Sequence, residues 1–321
     1  MTWHLAGKLA QPWAVQLEAL RRSDGRPRFG LFLEMGLGKS GVVLNEYVDH
    51  GDVDLCIVVA PQAFKLSWLD FVSEYDIDFI RSGFWPRDPL PFDWEQGVYA
   101  LNYEAISRSR ARDPLLELFN QRRVMLVLDE SKALGNPRSG WSRAAIELAK
   151  RATMVRELNG TPVTQSPLDL YAQLRALGEL NGMTSVEFRN RYCVMGGYMG
   201  KQILPEFKNG DELARILDRC MFRALKSEWR TDLPPRSYST IHLELTAKQR
   251  RHYKTMVDEF YAMVDGRDVT VEMVIGQMLK LQQIASGFIL PMGGAPALII
   301  ESGLKTRRSA VCSSCAAPAA S

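Results

Sequence analysis

The sequence predicts an α/β fold, a doubly wound parallel sheet, over residues 1–181, followed by an added helical region. Three observations carry that expectation. Short apolar runs alternate with segments of helical periodicity throughout the stretch. Two of those runs, 54–60 and 124–128, are almost wholly apolar, as strands covered by helices on both faces must be. Glycines, a lysine and acidic residues fall just after the runs, where open parallel sheets collect their ligands.

Gln11 to Leu20 reads as a helix with Trp13, Leu17 and Leu20 on one face. Gln16, within it, has two readings. It is a solvated helical glutamine, or its amide offers both a donor and an acceptor to the edge of adenine. Position alone leaves both open. Ser23 to Arg28 is a polar turn into the strand Phe29–Leu33. There follows Leu33-Glu34-Met35-Gly36-Leu37-Gly38-Lys39-Ser40, and then Val42, Val43, Leu44 and Tyr47 at helical spacing.

This octet is a strand-to-helix turn. Gly36 and Gly38, flanking Leu37, let the backbone curl with its N–H groups inward, and the new helix adds the positive end of its dipole. Lys39 supplies charge to β- and γ-phosphates, and Ser40 a hydroxyl for Mg²⁺. The usual phosphate-loop pattern begins with Gly where this chain has Leu33, but its Gly-x-Gly-Lys-Ser core is intact. A glycine turn before a helix is often plain structure. Strand, Lys and Ser together favour a nucleotide site.

Asp54–Ala60 is the second strand, ended by Pro61, and Phe64 to about Tyr75 is a helix carrying Trp68 and Phe71. Asp78 to Gln96, rich in Pro, Gly and Trp, reads as irregular surface. Gly97–Leu101 is a third strand, closing into Asn102-Tyr103-Glu104, and Pro114 to Gln121 is a helix. Val124–Leu128 is the clearest buried strand, with Asp129-Glu130 at its carboxyl end. Such acids are either solvated strand caps or handlers of metal and water. Beside a phosphate loop the second reading is favoured: Asp129 holds Mg²⁺ through water, and Glu130 polarises the attacking water. A helix from Trp141 to Arg151 leads to a strand ending near Leu158, then Asn159-Gly160-Thr161-Pro162. Pro167 opens a helix to about Leu180.

From Asn181 the texture changes. Ser185–Tyr192 and Asp211–Met221 look helical, separated by a Gly-rich span at 196–200. Arg215, Arg219, Arg223, Lys226 and Arg230 form either a solvated face or a surface for a phosphate backbone. Tyr238–Leu245 alternates like a strand, Thr246 caps a helix to about Met263, and Val271 to about Phe288 is another. After Pro291 order fades. Cys312 and Cys315, in a tail of small residues, are weak evidence for zinc.

Composition narrows the class. The chain has 321 residues, 46% of them hydrophobic and 24% charged, as in ordinary globular proteins. A net charge of +3 announces no global basic field, so any nucleic-acid surface is local. The longest apolar runs are far too short to span a bilayer, and no signal-peptide layout opens the chain. Five scattered cysteines argue against a disulfide framework, and four histidines lack metal-ligand spacing. The expectation is a protein of the cell interior, cytoplasmic or nuclear, neither secreted nor membrane-bound.

The ordered signals resemble the RecA-like first lobe of superfamily-two helicases, and more finely the Swi/Snf-like DNA translocases. Glu34 to Ser40 looks like that family's first motif. Val58 to Pro61, followed by Ser67-Trp68, looks like its second, and Asn102-Tyr103-Glu104 like the next. Asp129-Glu130-Ser131-Lys132, with Asn136, matches the acidic box. Leu158 to Pro162, then Ser166-Pro167 and Asp169-Leu170-Tyr171, matches the motor-coupling motif. Phe222 to Lys226 with Leu233-Pro234 resembles the arm beyond the lobe. Leu245 to Gln249 with Tyr253, and Leu281 to Ile284, resemble the approach to a second lobe. The resemblance covers roughly residues 10–290.

It implies ATP and Mg²⁺ as cofactors, double-stranded DNA as partner, and ATP hydrolysis coupled to movement along it. It implies that Gln16 reads adenine, and that Gly160 and Thr161 couple the ATP site to the nucleic acid. Pro61, Ser67 and Asn102 would line the strand track. Three departures stand out: Lys132 where the family commonly has His, Asn159 where it has Thr, and no arginine-finger motif before Ser321. The expected organisation is a nucleotide lobe at 1–181, a basic helical arm at 182–236, a helical approach at 237–296 and a disordered tail at 297–321. A second lobe is expected to be absent and supplied in trans, leaving the chain able to bind ATP but slow to hydrolyse it. A rival of a different class is a non-catalytic module that binds ATP and nucleic acid. An unrelated phosphate-loop kinase is a third, and the ordered acidic box argues against it.

Overall fold

Along β2 (Leu55–Ala60), Leu55, Ile57 and Val59 face one way and Cys56, Val58 and Ala60 the other, and all six are buried. A strand with no wet face needs a helical layer on each side. The computed structural model supplies both. It describes residues 2–5, 11–63, 65–73, 81–84, 97–160, 166–197, 202–232, 240, 244–264, 271–289 and 298–299.

The chain divides into two compact units, residues 1–234 and 235–321. In the first, α1 (Ala14–Ser23) leads to β1 (Arg28–Leu33), α2 (Lys39–Asp49), β2, α3 (Lys65–Ser73), β3 (Arg81–Phe84) and β4 (Gly97–Asn102). Then come α4 (Tyr103–Ile106), α5 (Ser109–Gln121), β5 (Val124–Asp129), α6 (Gly140–Arg151), β6 (Met154–Leu158) and α7 (Leu170–Ala176). A helix α8 (Ser185–Tyr192), a hairpin of β7 (Cys193–Gly196) and β8 (Gln202–Phe207), α9 (Gly210–Cys220), β9 (Met221–Ala224) and α10 (Lys226–Trp229) complete it. The main sheet runs β3-β4-β2-β5-β6-β1-β9, parallel throughout. This is the doubly wound α/β, RecA-like architecture. Side chains of α1, α2 and α3 pack on one face, and those of α4 to α9 on the other.

Several expectations need correction. Helix α1 starts at Ala14, and its inner face is Val15, Gln16, Ala19 and Leu20, while Leu17 points to solvent. The stretch read as irregular surface contributes β3 at the sheet edge. Helix α5 begins five residues before Pro114, which it accommodates internally. Of the Gly-rich span, Gly196 pairs with Gln202 in the β7–β8 hairpin, and residues 198–200 lie outside the described residues. Residues 221–224, read as the end of a helix and the start of an arm, form β9 beside β1. None of the missed strands carries a long apolar run, and Cys220-Met221-Phe222 continues the apolar pattern of α9, so periodicity alone runs the helix on. Pairing partners decide it.

Cys56, Cys193 and Cys220 are buried free thiols. The charge run from 215 to 230 is largely engaged within the unit. Arg219 pairs with Glu179, Arg230 with Asp232 (2.8 Å), and Arg215 donates to the Asp211 carbonyl (3.1 Å).

In the second unit, α11 (Ala247–Val264) and α12 (Val271–Ala285) pack together. Thr246 caps α11 through the Gln249 N–H (3.2 Å). Gln249 Nε2 then donates to the carbonyls of Ile284 (3.2 Å) and Ala285 (3.1 Å). Most of the strand expected at 238–245, and of the tail expected at 297–321 with Cys312 and Cys315, lies outside the described residues, but Leu298 and Ile299, expected to be disordered, pair antiparallel with Ile289 and Phe288. Among those described, no helix is long and apolar enough to cross a membrane.

Candidate nucleotide site

Strands β1, β2, β4, β5, β6 and β9 are parallel, so the loops after them share one edge of the sheet. The loop after β1 is shaped by two residues in the left-handed region, Gly36 (φ 83°) and Gly38 (φ 75°). L side chains are strained there. Between them Leu37 is a fully buried peg. No side chain caps the first turn of α2, which begins at Lys39. An uncapped helix start behind a glycine turn is a ready anion site.

Gln16 is fully buried against this loop. Its Nε2 donates to the Gly38 carbonyl (3.1 Å), and its Oε1 accepts the Trp13 N–H (2.8 Å). A Cβ on Gly38 would stand 2.4 Å from that Nε2. Gln16 therefore clamps α1 to the phosphate loop, with one N–H and one lone pair of the amide left over.

From the other side, β5 delivers Asp129 and Glu130, both buried. Trp68 Nε1 donates to Asp129 Oδ2 (2.8 Å), the Glu130 N–H to Oδ1 (2.9 Å), and the Tyr103 hydroxyl to the Asp129 carbonyl (2.9 Å). Burial pushes the Asp129 carboxyl up, against the lowering pull of the Trp68 bond and of Lys39. Glu130 has φ 48°, a left-handed conformation that costs a non-glycine residue about 1–3 kcal/mol. Its carboxylate lies 3.7 Å from Lys39 Nζ and 3.0 Å from Lys132 Nζ. Lys132, the departure from the family's His, is thus an ion-pair partner of the acid itself.

Lys39, Ser40, Asp129 and Glu130 line one cavity of about 300 Å³, with Met35, Gly36, Gly38, Ser67, Trp68 and Phe71. Of the residues expected on the strand track, Ser67 faces this cavity, whereas Pro61 and Asn102 stand at the ends of β2 and β4. Asn102 Oδ1 accepts the Ala105 N–H (3.0 Å) as the cap of α4, and its Nδ2 donates to Gln62 Oε1 (2.5 Å). Gly160 packs against Met35 of the phosphate loop. Thr161 lies outside the described residues. Ser131, in the acidic box, donates to Gln173 Oε1 on α7 (3.1 Å), so the box is bonded to the helix after the Gly160 turn.

The sequence assigns no site role to Phe71, and it names Trp68, Met35 and Lys226 only as members of a motif or of the charge run. Trp68 carries a local signal, an indole donor directly after Ser67 in α3. Beneath the site, Arg156 of β6 and Glu46 of α2 form a fully buried pair (2.7 Å), and Ser23 donates to the same carboxylate (2.5 Å). Arg156 also donates to the carbonyls of Arg26 (3.0 Å) and Pro27 (3.2 Å), so the helix that presents Lys39 is pinned to the sheet.

The described residues contain no cluster of three or more His, Cys, Asp or Glu side chains able to hold a metal. One carboxylate and one hydroxyl beside a phosphate loop instead suit Mg²⁺, which is commonly held by one or two protein groups, phosphate oxygens and water.

The family described as SNF2-related domain matches residues 31–287. The DNA annealing helicase and endonuclease ZRANB3 of Bos taurus is 25% identical over 282 residues, spanning 83% of this chain and 26% of that protein. A Caenorhabditis elegans homolog of SWI/SNF-related matrix-associated actin-dependent regulator of chromatin subfamily A-like protein 1 is 29% identical over 218 residues. That match covers 65% of this chain and 30% of the relative. This chain thus spans about a quarter to a third of these curated relatives. Among solved structures, the Sulfolobus solfataricus SWI2/SNF2 ATPase core in complex with dsDNA superposes with a TM-score of 0.56 at 20% identity. The superposition covers 95% of this chain and 64% of that one, and shows a shared fold.

Proposed function

Because this chain belongs to the SNF2-related family, we propose that it binds Mg·ATP at the end of β1 and couples hydrolysis to movement along double-stranded DNA. The observation that carries the reading is the convergence of Lys39, Ser40, Asp129 and Glu130 on one cavity, from two strands separated by β6. Lys39 neutralises the β- and γ-phosphates. Ser40 and, through water, Asp129 hold Mg²⁺, which when bound neutralises charge developing on the phosphate oxygens. Glu130 takes a proton from the attacking water. Lys132 and Lys39, its two ion-pair partners, hold that carboxylate in place. Gln16 orders the loop and turns its remaining amide groups to adenine.

Coupling follows the bonded path from the acidic box to α7. Gly160, beside Met35 of the loop, and Thr161 couple the ATP site to the nucleic acid, and Pro61, Ser67 and Asn102 line the strand track. The ZRANB3 and Sulfolobus proteins, whose names specify DNA, support that partner. A second lobe, in the same polypeptide or in trans, would supply further charge to the transition state and close the site.

Steady-state ATP hydrolysis with and without duplex DNA tests the reading. Lys39→Ala is expected to abolish Mg·ATP binding and DNA-stimulated turnover together. Glu130→Gln is expected to keep Mg·ATP binding and lower turnover by about 10²-fold or more. A Glu130→Gln protein with undiminished DNA-dependent function would overturn the motor in favour of a non-catalytic module.

A further inference from the structure

Lys226 opens α10, the short turn after β9. β9 runs beside β1 to its last residue, and the pairing continues into the phosphate loop. The Glu34 N–H donates to the Ala224 carbonyl (3.0 Å), and the Lys226 N–H donates to Glu34 Oε2 (2.7 Å). Two ring contacts hold the same region against α1. The Arg22 guanidinium lies 4.6 Å from the Phe222 ring centroid, and that of Arg230 lies 4.4 Å from Trp13. The β9–α10 segment is thereby held to the loop by two hydrogen bonds and to Arg22 and Trp13 by two ring contacts, and the first side chain of α10 is carried over the loop backbone. A Cβ on Gly36 would stand 3.1 Å from Lys226 Nζ and 3.3 Å from its Cε. Gly36 leaves open the space that the ammonium uses.

Charge gives this placement a meaning. Glu34, Asp129 and Glu130 bring three carboxylates to the loop and its cavity, and Lys39 and Lys132 are both directed at Glu130. A phosphate chain adds several more negative charges. A cation set against the loop backbone itself answers that excess.

We propose that Lys226 is a second phosphate-binding cation, a ligand for the phosphate chain of a nucleoside di- or triphosphate delivered by the segment that leaves the sheet. The proposal rests on the nucleotide reading above. It places one nucleotide ligand on the covalent path from the first unit to the second, eight residues before Pro234. Nucleotide occupancy then acts directly on the orientation of α10.

The test is the dissociation constant of Mg·ATP and Mg·ADP for the full chain, across a salt series. Lys226→Gln removes the charge but keeps the backbone bond to Glu34. It is expected to weaken both nucleotides about five- to ten-fold and to flatten the salt dependence. Lys226→Arg is expected to restore binding, with an unchanged melting midpoint in both variants. Wild-type affinity in Lys226→Gln, alongside lost binding in Lys39→Ala, overturns the role of Lys226 and leaves the nucleotide site standing. Undiminished binding in Lys39→Ala overturns both.

Discussion

Glu157 of β6 is fully buried, and neither carboxylate oxygen has a hydrogen-bond partner among the described residues. Burial holds its carboxyl well above the usual 4.5. In the unfolded chain the group ionises near 4.5, whereas in the fold it keeps its proton to much higher pH. The stability tied to this residue is therefore complete below about pH 4.5 and is lost as pH rises toward the folded value. Glu157→Met removes the liability. It is expected to raise stability at pH 8 by about 1–3 kcal/mol, with little effect at pH 4, as read by urea denaturation at both values. An equal gain at the two pH values would show that packing, not ionisation, is responsible. Residue chemistry was legible in the sequence where it depends on neighbours along the chain. The Gly-x-Gly-Lys-Ser turn and the Asp129-Glu130 pair needed only a strand before them. Gln16 was legible only in part, because its bond to the Gly38 carbonyl spans 22 residues and adds a clamp on the loop to the role of candidate base reader.

At the scale of elements, the Arg156–Glu46 pair decides how α2 sits on the sheet. Two charges without solvent exposure are stable only as a pair, since the loss of either leaves the other buried and uncompensated. Arg156→Leu is expected to cost about 3–5 kcal/mol. The double variant Arg156→Leu, Glu46→Leu should recover most of that, and a double-mutant cycle of melting curves measures the difference. Additive losses would contradict the pairing argument. β2 and β5 were legible because all six residues of each are buried and nearly all are apolar. β3, β7, β8 and β9 were not: four to six residues of mixed composition acquire their identity from partners elsewhere in the chain. The same holds for Lys226, which read as one charge in a run until β9 set it over Gly36.

For the molecule as a whole, both apolar layers of the main sheet close within residues 1–234. A unit that owns its entire core should fold by itself. Residues 1–234 expressed alone are expected to unfold in one cooperative transition and to bind Mg·ATP with the full chain's affinity and dependence on Lys39. Broad, non-cooperative melting of the fragment would show that the second unit completes the core. The division at 234 lies two residues from the boundary expected at 236, whereas the change of composition at 181 falls inside the first unit. Long-range packing through α8, α9 and β9 carries the first unit past that change.

The position of β9 also has a mechanical side. It is the outermost strand beside β1, it runs parallel to β1, and the chain leaves from its carboxyl end. Tension pulling the chain outward along the strand axis from beyond residue 224 would load the β1–β9 bonds in shear, so that they bear it together rather than opening one at a time. The next structure to feel that tension is the glycine loop, through the Ala224 and Glu34 bond. An axial pull on the exit segment would thus be sensed at the glycine loop before it could dislodge the sheet.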